Sequence, residues 1–328
     1  MKIVLAGGSG QVGRMLARAF RTSGDEVVVL GRPPGTPQDS VRFVPWDGRT
    51  LGSWAAELED CDWVFGLAGR SVNCRYTAVH RREITESRVH AVRVLGQAIA
   101  ACARPPRLWL QASTATIYRH TLGPANDEKN GVLGGNEPDV PDTWRFSIEV
   151  ATAWEQAVRE VGTLPQTRVV LLRSAMTMSP DRGGVFDALL RLVRLGLGGA
   201  AGNGRQYVSW IHETDFIRAM RWIGDNETLR GPINIAAPHP LPNAEFMKSL
   251  RDAWGMRIGL PAAGLMLEAG AALFRTETEL ILKSRRVVPG LLLEGGFVFR
   301  HPTWPEAARD LCHRWKRGES GSDGTKKR

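Results

Sequence analysis

The sequence predicts an α/β protein: a doubly wound parallel sheet with a smaller, mostly helical C-terminal lobe. Three observations carry that expectation. The chain opens on a short apolar strand that runs into glycines. Strands and amphipathic helices then alternate to about residue 175, and beyond that point the texture changes to glycine-rich loops and helices. Strands that alternate with helices at this spacing lie parallel and are joined by right-handed crossovers.

The first strand is Lys2-Ile3-Val4-Leu5-Ala6, followed by the turn Gly7-Gly8-Ser9-Gly10-Gln11-Val12-Gly13. A helical pattern comes next (Met15, Leu16, Ala19, Phe20), then a second strand, Glu26–Leu30, ending at Gly31-Arg32. Such a unit holds a pyrophosphate: glycines let the backbone approach, and the helix start points unpaired N–H groups at negative charge. The spacing Gly7, Gly10, Gly13 departs from Gly-x-Gly-x-x-Gly, but the strand–turn–helix context that the motif needs is complete. All of residues 7 to 13 are therefore expected to bind a dinucleotide. An acid at the end of the second strand would take the 2′-hydroxyl of NAD, whereas an arginine suits the 2′-phosphate of NADP. Arg32 stands there and no acid does, so NADP(H) is the expected cofactor.

Further along, Val41–Val44 reads as a third strand, followed by Trp46-Asp47 and a helix over 50–59. Asp62–Gly69 reads as a buried strand whose small final residues leave room for a ligand at the carboxyl edge of the sheet. A long helix over 78–103 stops before Pro105-Pro106, and Leu108–Ala112 is a fifth strand leading to Ser113-Thr114. A helix over 144–161 and strands Thr167–Leu172 and Pro232–Ala236 complete the nucleotide domain. The expected division is 1–177 with 208–237 for that domain, 178–207 with 238–316 for a substrate lobe, and a disordered tail over 317–328. A substrate cleft between the two follows.

The 328 residues carry a net charge of +9, but the arginines are scattered and lack interleaved aromatics. A solvated surface that steers an anionic cofactor accounts for them, and nucleic-acid binding is not expected. The 4 cysteines form no Cys-x-x-Cys pair, as in a reduced cytoplasmic protein. The apolar stretch 258–274 is broken by Pro261 and Glu268 and is a poor membrane span.

Together these residues resemble the extended short-chain dehydrogenases/reductases. More narrowly, they resemble the atypical epimerase-family group called SDR39U1-like or YfcH-like, with its DUF1731 C-terminus. The resemblance runs through Gly7–Gly13, Gly31-Arg32, Trp46-Asp47, Leu67-Ala68-Gly69, Glu86–Val89, Trp154-Glu155, Gly196–Gly199, Ser209–His212, Pro232–Asn234, Asn243–Phe246, Val288-Pro289 and Gly295–Phe297. It implies an NADP-binding Rossmann domain whose cofactor is lined by Leu67, Ala68, Gly69, Glu83, Arg88, Thr114 and Trp154. It also implies a small-molecule substrate such as a nucleotide sugar or another carbonyl compound, and it is compatible with a homodimer.

Enzymes of that superfamily use a tyrosine as acid/base and a lysine four residues on that stabilises the phenolate. The tyrosines here are Tyr76, Tyr118 and Tyr207, and none has a lysine at that spacing. Alignment by Trp154-Glu155 places Phe146 and Val150 at the two positions. Thr114 keeps the hydroxyl position, and Tyr118 is the candidate replacement acid/base; His120, His212 and Asp215 are weaker ones. No metal site is expected. The sequence thus supports either an NADP(H)-dependent epimerase or oxidoreductase with non-standard groups, or a non-catalytic NADP(H)-sensing or partner-binding protein.

Overall fold

The computed structural model describes residues 1–33, 41–261 and 279–319. Part of the apolar stretch 258–274 and the tail beyond residue 319 lie outside the described residues. The chain divides into two compact units: residues 1–117, 135–174 and 220–233 form the first, and 118–134, 175–219 and 234–328 the second.

The first unit is built on a seven-stranded sheet. Its strands are β1 (Lys2–Ala6), β2 (Glu26–Gly31), β3 (Arg42–Pro45), β4 (Trp63–Gly66), β5 (Leu108–Thr114), β6 (Arg168–Ser174) and a strand at Gly231–Ile235, in the order last-β6-β5-β4-β1-β2-β3. The pairings β1–β2, β1–β4, β2–β3, β4–β5 and β5–β6 are all parallel. The order reverses between β1 and β4, the switch point at which doubly wound sheets bind ligands. Val4, Leu30, Val64 and Trp109 are near-continuous apolar residues of strands covered on both faces.

The helices packed on the sheet include α1 (Gln11–Thr22), α2 (Ala78–Ala101), α3 (Asp142–Glu160) and the end of the helix Glu213–Asp225, where Gly224 meets the Trp63 ring. The Thr77 hydroxyl accepts the His80 N–H and so starts α2, which stops at Cys102, just short of the two prolines. Residues 53–58 form a short 3-10 helix rather than the longer helix expected over 50–59. Asp47 explains the late start: its carboxylate accepts the N–H groups of Arg49 and Thr50, spending them on a turn.

In the second unit, Met176–Met178 pairs parallel with Trp210–His212, and Tyr207–Val208 pairs antiparallel with Leu241–Pro242. Helices Val185–Arg194, Asn243–Trp254 and Trp304–Lys316 enclose a core of Phe186, Trp210, Phe246 and Trp304, with the last two rings stacked at 4.1 Å. Residues 118–134, 175–177, 208–219 and 234–237 fall in this unit, where the sequence division placed them with the first. The reason is pairing: Asn126 bridges Val287, and Trp210–His212 takes Met176–Met178 as its neighbour.

Candidate cofactor and active site

The site is assembled at the carboxyl edge of β1, β2 and β4. The Gly7 N–H donates to Leu30 O at 2.8 Å and the Gly8 N–H to Leu5 O at 3.1 Å, folding the turn tightly against the sheet. Gly7 takes φ +84°, where side chains strain the backbone. A Cβ on Gly13 would stand 2.2 Å from Gly8 O, so only glycine lets α1 pack against the turn. A Cβ on Gly10 would meet no atom within 4 Å, which leaves open space at the helix start. Gly10 provides no side-chain cap, and the first turn of α1 carries no acid. Its N–H groups and the positive end of the helix dipole are thus available to an anion.

A cleft of about 530 Å³ opens over this turn. Gly7, Ser9, Arg32, Ala68, Gly69 and Glu83 of the expected cofactor set line it. Trp46, Asp47, Gly48 and Arg49, which sequence reasoning left out of the site, line it too. Their local signal was Asp47 followed by Gly48, which takes φ +75°. Arg70, Ser71 and Ser87 line it as well; Arg70 pairs with Glu83, and the Ser87 hydroxyl accepts the Arg70 N–H at 2.9 Å. Arg32 is exposed, and no described carboxylate pairs with it.

Arg88 stands directly behind the cleft wall: a Cβ on Gly69 would meet its guanidinium carbon at 3.0 Å. It donates to the carbonyls of Arg70 at 3.0 Å and Ile84 at 2.9 Å and lies 5.0 Å over the Trp154 ring. No described carboxylate pairs with it. Burial pushes it down to about 10, against which the Tyr76 phenol acts.

Phe146 and Val150 are buried in an apolar cluster with Tyr76 and Ile84. Thr114 accepts the Thr116 N–H at 3.2 Å. Tyr118, in the second unit, is buried and donates its hydroxyl to Asn234 Oδ1 at 2.9 Å. His120 Nδ1 accepts the Ser284 N–H at 3.0 Å. Asp215 accepts the Arg300 and His301 N–H groups at 2.8 Å each. Gln11 and Val12 open α1 within the turn, and the Leu67 N–H donates to Ala6 O at 2.7 Å.

His212, His301 and Asp310 bring three possible metal ligands together. The hydrogen bonds argue against that use. His212 Nδ1 accepts the Thr214 N–H at 3.1 Å, which puts the ring proton on Nε2, where it faces Asp310 Oδ2 at 3.1 Å.

A glycine turn at an uncapped helix start, set at the switch point of a parallel sheet, defines a dinucleotide-binding protein. The chain belongs to the NAD dependent epimerase/dehydratase family, which it matches over residues 3–236; residues 262–311 match DUF1731, a domain of unknown function. It is 28% identical to epimerase family protein SDR39U1 of Bos taurus, over 95% of this chain and 99% of that one. It is 30% identical to epimerase family protein ML0860 of Mycobacterium leprae, over 93% of this chain and 94% of that one. The crystal structure of human SDR39U1 with NADPH superposes with a TM-score of 0.82 at 27% identity, covering 95% of this chain and 99% of that one. A nucleoside-diphosphate sugar epimerase from Corynebacterium glutamicum superposes at 0.68 and 26% identity, covering 95% of this chain and 58% of that one. No helix among the described residues is long and apolar enough to cross a membrane.

Proposed function

We propose that the chain binds NADP(H) in the cleft above Gly7–Gly13 and is an epimerase or oxidoreductase acting on a nucleotide sugar or another carbonyl compound. The observation that carries the cofactor choice is Arg32: it follows β2 directly and lines the cleft, and the end of that strand has no acid to take a 2′-hydroxyl. The human relative crystallised with NADPH supports the same choice. The residues fit the group. The α1 N-terminus receives the diphosphate, Arg32 the 2′-phosphate, and the small residues Ala68 and Gly69 leave space beside β4. A bound nicotinamide would supply hydride chemistry. The protein's part is to orient the substrate, exclude water and handle the proton. Calorimetry tests the reading: tighter binding of NADPH than NADH is expected, and equal or reversed affinities overturn the cofactor choice.

A second reading rests on Phe146 and Val150, which are buried and apolar where the resemblance places an acid/base pair. On that reading the chain is an NADP(H)-sensing protein without turnover. Reduction or epimerisation of any compound in a panel of nucleotide sugars and carbonyls excludes it.

A further inference from the structure

Two helices of the second unit end side by side. The helix Val185–Arg194 stops at Gly196, whose φ of +74° lets the Gly196 N–H reach Val193 O at 3.0 Å and the Leu197 N–H reach Leu192 O at 2.9 Å. The helix Asn243–Trp254 stops in the same way at Gly255, with φ +86° and the Met256 N–H on Arg251 O at 2.9 Å. The chain after each helix then joins the other. The Leu260 N–H donates to Gly196 O at 2.8 Å, the Gly199 N–H to Leu260 O at 3.1 Å, and Arg251 Nη1 to Gly198 O at 2.6 Å. A Cβ on Gly196 would meet Ile258 Cγ2 at 3.9 Å. The joined segments present apolar side chains outward: Leu195 is 72% exposed, Ile258 63%, Leu260 55% and Leu197 43%. One exposed leucine is ordinary, but four such residues on adjoining segments form a patch that marks a contact surface. Cations border it. Arg194 precedes Leu195 and Arg257 precedes Ile258, both exposed, and Arg194 and Lys316 lie over the one Trp254 ring at 5.7 and 4.4 Å. Among the described residues no carboxylate pairs with Arg194, Arg257 or Lys316, whereas Asp252 is held by Lys248 at 2.7 Å and Asp187 by Arg191 at 3.3 Å.

We propose that this face docks on a membrane surface of anionic lipid. Leu195, Leu197, Ile258 and Leu260 enter the boundary between headgroups and acyl chains, where their exposed area leaves water. Arg194, Arg257 and Lys316 meet the lipid anions, and Trp254 lies at headgroup level, the depth that indole rings prefer. Charge complementarity selects this occupant. A second copy of the chain would set these cations against the same cations. A nucleic acid would match the charge but offers no apolar phase to the four side chains. None of these residues lines the cleft over Gly7, so the proposal stands independently of the cofactor reading.

Flotation of the full chain with vesicles tests the proposal. The wild type should float with phosphatidylcholine vesicles that contain about one-third phosphatidylserine, stay behind with pure phosphatidylcholine, and be released by high salt. Each cation contributes about fivefold in affinity, so a variant carrying Arg194→Gln, Arg257→Gln and Lys316→Gln should bind about 100-fold more weakly. A variant carrying Leu195→Glu and Ile258→Glu should not float, while melting and binding NADPH as the wild type does. A wild type that floats with both kinds of vesicle, or with neither, overturns the proposal. So does undiminished flotation of the Leu195→Glu, Ile258→Glu variant. If that variant does not fold, the charge variant decides, and its unchanged flotation overturns the proposal. A wild-type dimer in sedimentation velocity that the glutamate variant loses assigns the face to a second copy instead. Tighter binding of duplex DNA than of the anionic vesicles assigns it to a nucleic acid, and either result overturns the membrane.

Discussion

A methyl group added to Gly7 would stand 2.6 Å from Cα of Ala68. The two residues follow the neighbouring parallel strands β1 and β4, and both line the cleft. Gly7→Ala combines that clash with a backbone conformation that costs about 1–3 kcal/mol for a residue other than glycine. Gly10→Ala differs, because its methyl meets open space. It should melt like the wild type yet bind NADPH more weakly, since the methyl fills the room that a diphosphate needs. Thermal melts with and without NADPH check both, and unimpaired binding by Gly10→Ala would put the diphosphate elsewhere.

Arg32→Glu should reverse the cofactor preference. Losing a charge-assisted hydrogen bond to a phosphate costs about 1.5–3 kcal/mol, or roughly 10- to 150-fold in NADPH affinity. The new carboxylate suits a 2′-hydroxyl, so NADH binding should improve. Calorimetric titration of both cofactors gives the answer.

Glu155 is a buried hub. Ser113 Oγ donates to it at 2.7 Å, and Arg173 binds both of its oxygens at 2.8 Å. Removing either charged partner leaves the other uncompensated, which costs about 3–5 kcal/mol. Arg173→Met and Glu155→Leu should each lose that much in urea unfolding. The double variant should lose less than the sum of the two.

Acid should weaken the second unit in two steps. His301 is held below its ordinary 6.5 by burial and then by His212. The unfolded chain therefore takes up that proton first, and stability falls as the pH drops below 6.5. Asp310 is held below its ordinary 3.8, mainly by the hydrogen bond with His212. Its contribution is complete above that value and disappears as the pH falls through the lower folded one. Urea midpoints across pH should show both limbs, with His301→Phe flattening the upper and Asp310→Asn the lower.

Burial pushes the Cys61 and Cys312 thiols up to about 12. At neutral pH almost none of either is thiolate, so native alkylation should spare both. Cys74, half-buried, should label first, as peptide mass mapping would show.

The doubly wound sheet was legible because its signals are local. Apolar runs of four to six residues alternate with helical patterns, and Gly7–Gly13 falls where strand meets helix. Boundaries held within a few residues for β5, β6, α2 and α3. The strand read as Asp62–Gly69 stops at Gly66, since its last residues turn out to line the cleft. The lining by Trp46–Arg49 was not legible as part of the site, because it depends on β3 joining the sheet beside β2, not on any neighbouring residue. The meeting of Tyr76 with Phe146 is likewise a product of α2 packing on α3, which no periodicity encodes.

The clasp at Glu155 has a consequence for heat. It ties the middle of α3 to the ends of β5 and β6 through ions, and the cost of stripping water from ions shrinks as temperature rises. Apolar contacts gain no such advantage. The helix bearing Phe146 and Trp154 should therefore be among the last parts of the first unit to let go on warming, keeping the cleft wall in register while looser segments have already begun to fray.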